Sequence, residues 1–306
     1  VRTPALPGLD NTTPALGHAW HVVATSDEVT DRPVEVWLLG VPWCLARVAG
    51  RVTASAGRGH RRSAPWAVDE RHGLVWLAPE EPLADRHAFG EWGTPGFDHG
   101  LCEVVRTPAG AALLVDNFLD AAHFPFVHAA TFGVDESAEV SESGIVRNGW
   151  MVTTTFSTWY REGGVVQPQD LRKTGTASLS IHLRLDFPET DVTIGILFCC
   201  TPERAGQTRV YKVVARNDLA GDHDRLTAFL AEEDQILVED LRILERYDHE
   251  DLPLDRTVEV HTRADRLSLA WRSVMADFVR AVDGATEAAA PTRAEGPPSE
   301  ITASGS

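Results

Sequence analysis

The sequence predicts an α+β protein: a small all-β module over residues 17–89, then an antiparallel sheet with helices packed on one face over residues 90–283. Three observations predict this. Short β-rich runs punctuated by glycine and proline fill residues 34–82, and four further β-type segments recur at hairpin-like spacing between Trp150 and Arg216. Two later segments repeat their apolar residues at the period of a helix.

Residues 1–16 and 284–306 read as tails. The second holds one isoleucine among Ala, Pro, Gly, Ser, Thr and charge, too little apolar surface to offset the entropy of ordering, and is expected to be disordered. In the β module, VEVWLLGVPWCLARVAGRVTA (34–54) is broken at Gly40 and at Ala49-Gly50, and GLVWLAPEEP (73–82) is a strand closed by prolines. CEVVRTPAGAALLVDN (102–117) leads into an apolar helix. The sheet segments are then WMVTTTFSTWY, SLSIHLRLDF, DVTIGILFCC and TRVYKVVAR, and helices follow over 220–247 and 263–282.

Composition narrows the function. The chain has 306 residues, a length that suits about two domains with buried cores, and 43% hydrophobic content excludes a disordered chain. A net charge of −17 argues against nucleic acid, whose binding is driven by Lys and Arg displacing counterions. Four irregularly spaced cysteines, Cys44, Cys102, Cys199 and Cys200, make no disulfide framework and fit reduced thiols in a cytoplasm. No secretory apolar run opens the sequence and no stretch reaches the roughly 18 apolar residues of a membrane span, so a soluble cytoplasmic protein with no membrane partner is expected.

The segment from Asp116 to His128 carries the most chemistry. His123 and His128 are five apart, so on an undistorted helix they would point about 140° from one another, too far round to share an ion. Pro125 removes a helical hydrogen bond and biases Phe124 away from the helical region, so the helix should kink or stop between the two histidines and let them converge. Two readings fit: a metal pair, or two separately hydrogen-bonded histidines in an aromatic core. A third ligand decides between them, since two His and one carboxylate on one face bind non-haem Fe(II) and leave positions open.

That carboxylate is sought on the acidic helix EEDQILVEDLRILERY. Leu230, Asp234, Leu237, Leu241 and Leu244 step by 4, 3, 4 and 3, which places Asp234 on an apolar stripe where a lone carboxylate needs a cation or metal. Glu233, at the stripe's edge, competes for the role. The other acids, Glu239 and Asp240 among them, read as a solvated face.

The run DNFLDAAHFPFVHAATFG, the acidic helix around Asp234 and the opening HAWHVVATSDEV…PVEVWLLGVPWCLARVAGRVTA together resemble the oxygenase subunits of Rieske non-haem iron oxygenases, in the vanillate O-demethylase and caffeine N-demethylase branch. The resemblance runs from about Gly17 to Val282, with the Asn-x2-Asp-x2-His-x4-His block its most specific element. It implies a Rieske-like β domain followed by a helix-grip catalytic domain, with Fe(II) held by His123, His128 and Asp234. It also implies that electrons enter through Asp120 and that Asn117 lies beside the iron.

The chain departs from that pattern in its β module. A Rieske [2Fe–2S] centre takes two Cys and two His, and none of the four cysteines here has a histidine two or three positions later. Only 20 residues separate Val52 from Gly73, fewer than the roughly 23 that two cluster loops would occupy. Gly59-His60-Arg61-Arg62-Ser63-Ala64-Pro65 reads as a remnant of the first loop, with Arg58 in the place of a cysteine, and no [2Fe–2S] cluster is expected on this chain. Cys199 and Cys200 read as core residues.

The leading expectation is therefore an O2-dependent oxygenase component that hydroxylates a small ring-containing substrate, or removes an N- or O-methyl group, with electrons from a separate Rieske or ferredoxin-type protein. Two alternatives stand beside it: iron chemistry that is redox-neutral or powered by the substrate, and a non-catalytic subunit of an oxygenase complex. Oligomeric state is open, a homo-oligomer included.

Overall fold

The structure, a computed structural model, describes residues 8–57, 64–135, 144–247 and 251–289. Arg58 and residues 59–63 of the proposed loop remnant (59–65) lie outside them, as do residues 290–306 of the expected C-terminal tail.

Six strands form the N-terminal module: β1 (His21–Thr25), β2 (Val34–Leu38), β3 (Val41–Val48), β4 (Arg51–Ala56), β5 (Ala67–Arg71) and β6 (Leu74–Ala78). They make two antiparallel three-stranded sheets, ordered β2-β3-β4 and β1-β6-β5. Two-residue turns at Leu39-Gly40 and Ala49-Gly50 join the first sheet, with both residues of each pair at positive φ, the geometry whose twist matches that of the flanking strands. The glycine punctuation of the sequence has this cause.

Residues 79–97 connect this module to the second part without strand or helix, and the expected boundary at residue 89/90 falls within them. The second part comprises β7 (Asp98–Leu101), β8 (Val105–Thr107), helix α1 (Ala111–Leu119), a single turn α2 (Phe124–Val127), β9 (Ile145–Asn148), β10 (Met151–Glu162), β11 (Val165–Thr176), β12 (Ser180–Phe187), β13 (Val192–Arg204), β14 (Gln207–Arg216), α3 (His223–Leu244) and α4 (Arg266–Ala289). One antiparallel sheet of eight strands runs β7-β14-β13-β12-β11-β10-β9, with β8 also on β14. This is the α+β architecture read from the sequence. Strand β11, unforeseen there, carries Pro168, Gly175 and charge, a poor β composition, and is held by twelve paired positions along β10.

Alternation along β13 explains how the two parts meet. Ile194, Ile196, Phe198 and Cys200 face the helices, whereas Leu197 and Cys199 pack with Trp20, Val22, Leu74 and Trp76 of the β module. The strand is thus apolar on both faces. Cys199 and Cys200 are buried core residues on opposite sides, and burial pushes both thiols up.

Both expected tails need correction. Leu9 is fully buried and pairs through its backbone with Leu252. Asn11, 2% exposed, accepts a hydrogen bond from the Ala111 N–H at the start of α1 (2.9 Å) and donates to Thr208 Oγ1 on β14 (2.9 Å). It supplies the side-chain cap that Gly110 lacks, which a residue 100 positions away can do but composition cannot reveal. At the other end α4 continues to Ala289, past the expected start of the tail at residue 284. Among the described residues, no helix is long and apolar enough to cross a membrane.

Candidate metal centre

Helix α1 is buried on nearly all sides, and its C-terminus delivers the site. The helix ends at Asp120, whose backbone is extended (ψ 147°) and whose carboxylate accepts hydrogen bonds from the N–H groups of Ala122 and His123 (3.0 Å each). The break therefore comes three residues before His123, ahead of the stretch between the two histidines where it was predicted. Pro125 plays the opposite part to the one expected, because it sits in the first turn of α2, where its missing N–H leaves no bond unmade, and so starts a helix. The predicted convergence occurs all the same: His123 Nε2 and His128 Nε2 are 3.2 Å apart.

The third residue at this point is Asp240. Its Oδ1 lies 3.4 Å from His123 Nε2 and 3.3 Å from His128 Nε2. Asp234 is elsewhere: its carboxylate, half-buried, accepts the Glu103 N–H at 3.0 Å. Six residues turn a helix by about 240° net, so Asp234 and Asp240 cannot face the same way. The buried face of α3 is Phe229, Glu233, Ile236, Leu237, Asp240 and Leu244, one residue out of phase with the stripe drawn through Leu230 and Asp234. Glu239 and Asp240, read as solvated, are 6% and 3% exposed.

Each ligand-type atom is aimed by a neighbour. Asp120 Oδ2 lies 2.9 Å from His123 Nδ1, and Glu239 Oε2 lies 2.9 Å from His128 Nδ1. A carboxylate on each Nδ1 holds a proton there and turns Nε2 inward, where it donates to Asp240 Oδ1 when protonated and offers a lone pair to a metal when not. Thr131 Oγ1 donates to the same Glu239 oxygen at 2.8 Å, and Asn117 Nδ2 donates to Asp240 Oδ1 at 2.9 Å. The structure thus brings Asn117, Asp120, His123 and His128 together and replaces Asp234 with Asp240.

Burial works against charge at Asp240, yet hydrogen bonds from both imidazoles hold its carboxyl well below the usual range. Burial likewise opposes protonation of His123, but Asp120 and Asp240 outweigh it and keep that imidazole above its ordinary value. Beneath α1, Lys173 on β11 is fully buried. It donates to the carbonyls of Phe118 (3.1 Å) and Asp120 (2.6 Å), neutralising the helix end from which Asp120 projects, and burial lowers it to about 8.

The donor set suits a metal. Two bonds of about 2.1 Å subtend an edge of about 3.0 Å at a right angle and about 3.4 Å at a tetrahedral one. The observed edges of 3.2, 3.3 and 3.4 Å fall in that interval. Two neutral imidazoles and one carboxylate on one face match the facial arrangement of non-haem Fe(II) sites. Among the described residues, this is the one group of three such side chains close enough to share an ion.

The three residues stand at the edge of a cavity walled chiefly by aromatic and aliphatic side chains such as Phe118, Phe132, Leu185, Ile196 and Phe198. On the other side of Asp120 and Asn117 lies a polar cleft lined by Asp116, Glu259, His261, Asp265 and Arg272. Arg272 clamps Asp116 through two hydrogen bonds (2.9 and 2.6 Å), tying α4 to α1.

The sequence profile of the vanillate O-demethylase oxygenase C-terminal domain matches residues 107–281, more than half of the chain. The chain belongs to the Rieske oxygenase α-subunit family. Among its relatives in that family, the probable methylxanthine N7-demethylase NdmC of Pseudomonas sp. (strain TJI-51) is 28% identical over 40% of this chain and 43% of its own length. The vanillate O-demethylase oxygenase subunit of Pseudomonas sp. (strain HR199) is 24% identical over 45% of this chain and 52% of its own length, so the chain matches about half the length of these relatives. The fold of this α-subunit extends further. NdmA of Pseudomonas putida CBB5, solved with caffeine, superposes with a TM-score of 0.77 at 20% identity over 91% of this chain and 95% of that one. Dicamba monooxygenase bound to dicamba gives 0.69 at 16% identity over 88% and 99%.

Proposed function

We propose that this chain is the oxygenase component of a mononuclear non-haem iron monooxygenase that hydroxylates or demethylates a small ring compound and draws its electrons from a separate Rieske or ferredoxin-type protein. His123, His128 and Asp240 would hold Fe(II), which when bound supplies the reductive activation of O2. The observation that carries the reading is the set of three donor atoms on one side of an apolar cavity, each oriented by its own hydrogen bond.

The reaction balances as follows. O2, two electrons and two protons convert one C–H bond to C–OH and one oxygen atom to water. Where that carbon is an N- or O-methyl, the hydroxymethyl group leaves as formaldehyde and the heteroatom keeps a proton. The protein's share is positioning. The aromatic walls hold the ring and exclude water, Asn117 and Glu239 keep the ligand atoms of Asp240 and His128 in place, and Asp120 links His123 to the polar cleft on the far side. The cleft is where an electron donor would approach, with Asp120 as the bridge.

Two features support an external donor. No cysteine in the sequence stands two or three residues before a histidine, and among the described residues the four cysteines are dispersed over β3, β13 and the end of β7. The relatives are named as demethylases and an oxygenase, activities that consume electrons. Reconstitution tests the proposal: the protein loaded anaerobically should bind about one Fe(II) per chain, carry no labile sulfide, and turn over a substrate only with O2 and a Rieske-type reductase. Turnover without any reductant would overturn it in favour of substrate-powered chemistry, and failure to bind iron would leave a non-catalytic subunit.

A further inference from the structure

The sheet residues that line the cavity are leucine, isoleucine and phenylalanine except at two positions, Tyr160 on β10 and Gln169 on β11. The two are diagonal neighbours on one face of the sheet, since Tyr160 pairs with Gln167 and side chains repeat on a face every second residue. Gln169 is 2% exposed, and its Oε1 has no hydrogen-bond partner. A bare amide oxygen on an aliphatic wall is costly, and a leucine, the residue two positions on at Leu171, would avoid the cost.

The amide is neutral and both donates and accepts. Oε1 is an acceptor, Nε2 carries two N–H donors, and turning the amide over exchanges their places. The Tyr160 hydroxyl adds a further donor, kept protonated because burial pushes it well above its ordinary value. Glu233 on α3, the other polar residue of the lining outside the metal site, brings no net charge, because Lys212 on β14 forms an ion pair with it at 3.2 Å. The patch is thus one bare acceptor with donors beside it, uncharged and set in an apolar wall.

From this we infer that Gln169 is the specificity-determining residue of the cavity, and that the substrate carries a neutral group with an N–H beside a C=O, a carboxamide or a lactam edge. The inference rests on the cavity being the substrate site proposed above and narrows the substrate class. Oε1 and Nε2 lie side by side, so the group that meets both at once presents its own donor and acceptor side by side. Its N–H would satisfy Oε1, and its carbonyl would accept from Nε2 or from the Tyr160 hydroxyl. A ketone in the same place leaves Oε1 bare, and an alkyl group leaves the whole patch unpaired, which is how a buried polar site discriminates. Apolar walls hold a ring without fixing its rotation, so the amide also decides which carbon faces His123, His128 and Asp240.

The test is calorimetric binding to the full chain, anaerobic and without reductant, so that no turnover is needed. The probes 4-methoxybenzamide, 4-methoxyacetophenone and 4-isopropylanisole share one ring and one methyl ether and are close in size. At the varied group the first donates and accepts, the second only accepts, and the third does neither. The carboxamide should bind at least about tenfold more tightly than either of the others, and Gln169→Leu should shrink that preference to within about threefold. A ketone or hydrocarbon that binds the wild-type chain as tightly as the carboxamide overturns the inference, as does no measurable binding by any of the three; neither result depends on a variant folding. A preference that survives in Gln169→Leu overturns it too. Titrations with and without Fe(II), beside a measurement of iron content, separate the two readings. A carboxamide preference in a chain that holds no iron would keep this inference and fault the oxygenase proposal, and an iron-loaded chain without the preference would do the reverse.

Discussion

Two pairs of buried histidines occupy opposite sides of the large sheet and have opposite fates. His123 and His128, on the helix side, each have a carboxylate on Nδ1. On the side of the β module, His21 bonds only the Leu16 carbonyl through Nε2, and His87 has no partner for either nitrogen. Burial then dominates, lowering His21 to about 4 and His87 to about 3. The same side chain becomes a directed donor of electron pairs where an acid stands behind it and a neutral packing piece where none does. Histidine content alone therefore says little, and the group behind the ring decides.

The most severe way to break the comparison is to remove the acid between the rings. Asp240→Ala should reduce bound iron from about one per chain to near zero by elemental analysis, whereas Asp234→Ala should leave it unchanged. Loss in the second variant and retention in the first would restore the sequence-based choice. Lys173→Met comes next, because it leaves the carbonyls of Phe118 and Asp120 without their donor in the core. It should cost about 2–4 kcal/mol in urea unfolding; a cost below about 1 kcal/mol would mean that the helix end is satisfied another way. Glu239→Gln keeps the shape but removes the charge behind His128, and should lower iron affinity about 10–100-fold.

The smallest effect concerns acid. For His21 and His87 the folded pKa lies below the unfolded value of 6.5, so the unfolded chain binds more protons as pH falls below 6.5, and stability is lost progressively toward pH 4. In the metal-free protein His123 acts in the opposite sense, because its raised pKa gives stability that is present below 6.5 and lost as pH rises through the folded value. The urea midpoint should fall between pH 6.5 and 4, and His87→Leu should flatten that fall. An unchanged slope in the variant would show that His87 is not the group being protonated.

The sequence carried the order and type of most elements, because alternation and helical period report which face is buried. Asn117, Asp120, His123 and His128 were legible because they lie within twelve residues and share one turn of chain. Asp240 was not, because α3 offers two stripes and leucines occupy both: Leu230 and Leu241 are only half-buried, while the polar Glu233, Glu239 and Asp240 are buried. A burial pattern that favours carboxylates over leucines makes sense only once the histidines opposite are known. Lys173 had a similar disguise, a lysine within an unpromising strand whose partners are backbone carbonyls that no motif encodes.

Asn11 carries a consequence for how the protein is made. It joins the start of α1 to Thr208 and to the carbonyls of Arg204 and Gln207, positions 193 to 197 residues further along. During synthesis α1 and both histidines leave the ribosome well before β14 and α3, so the helix lacks its fixed cap and His128 lacks Glu239 until most of the chain has emerged. Under the proposed assignment, iron capture would be a late event in biogenesis, and a nascent chain arrested before residue 240 would display the two histidines without Asp240 to complete the site.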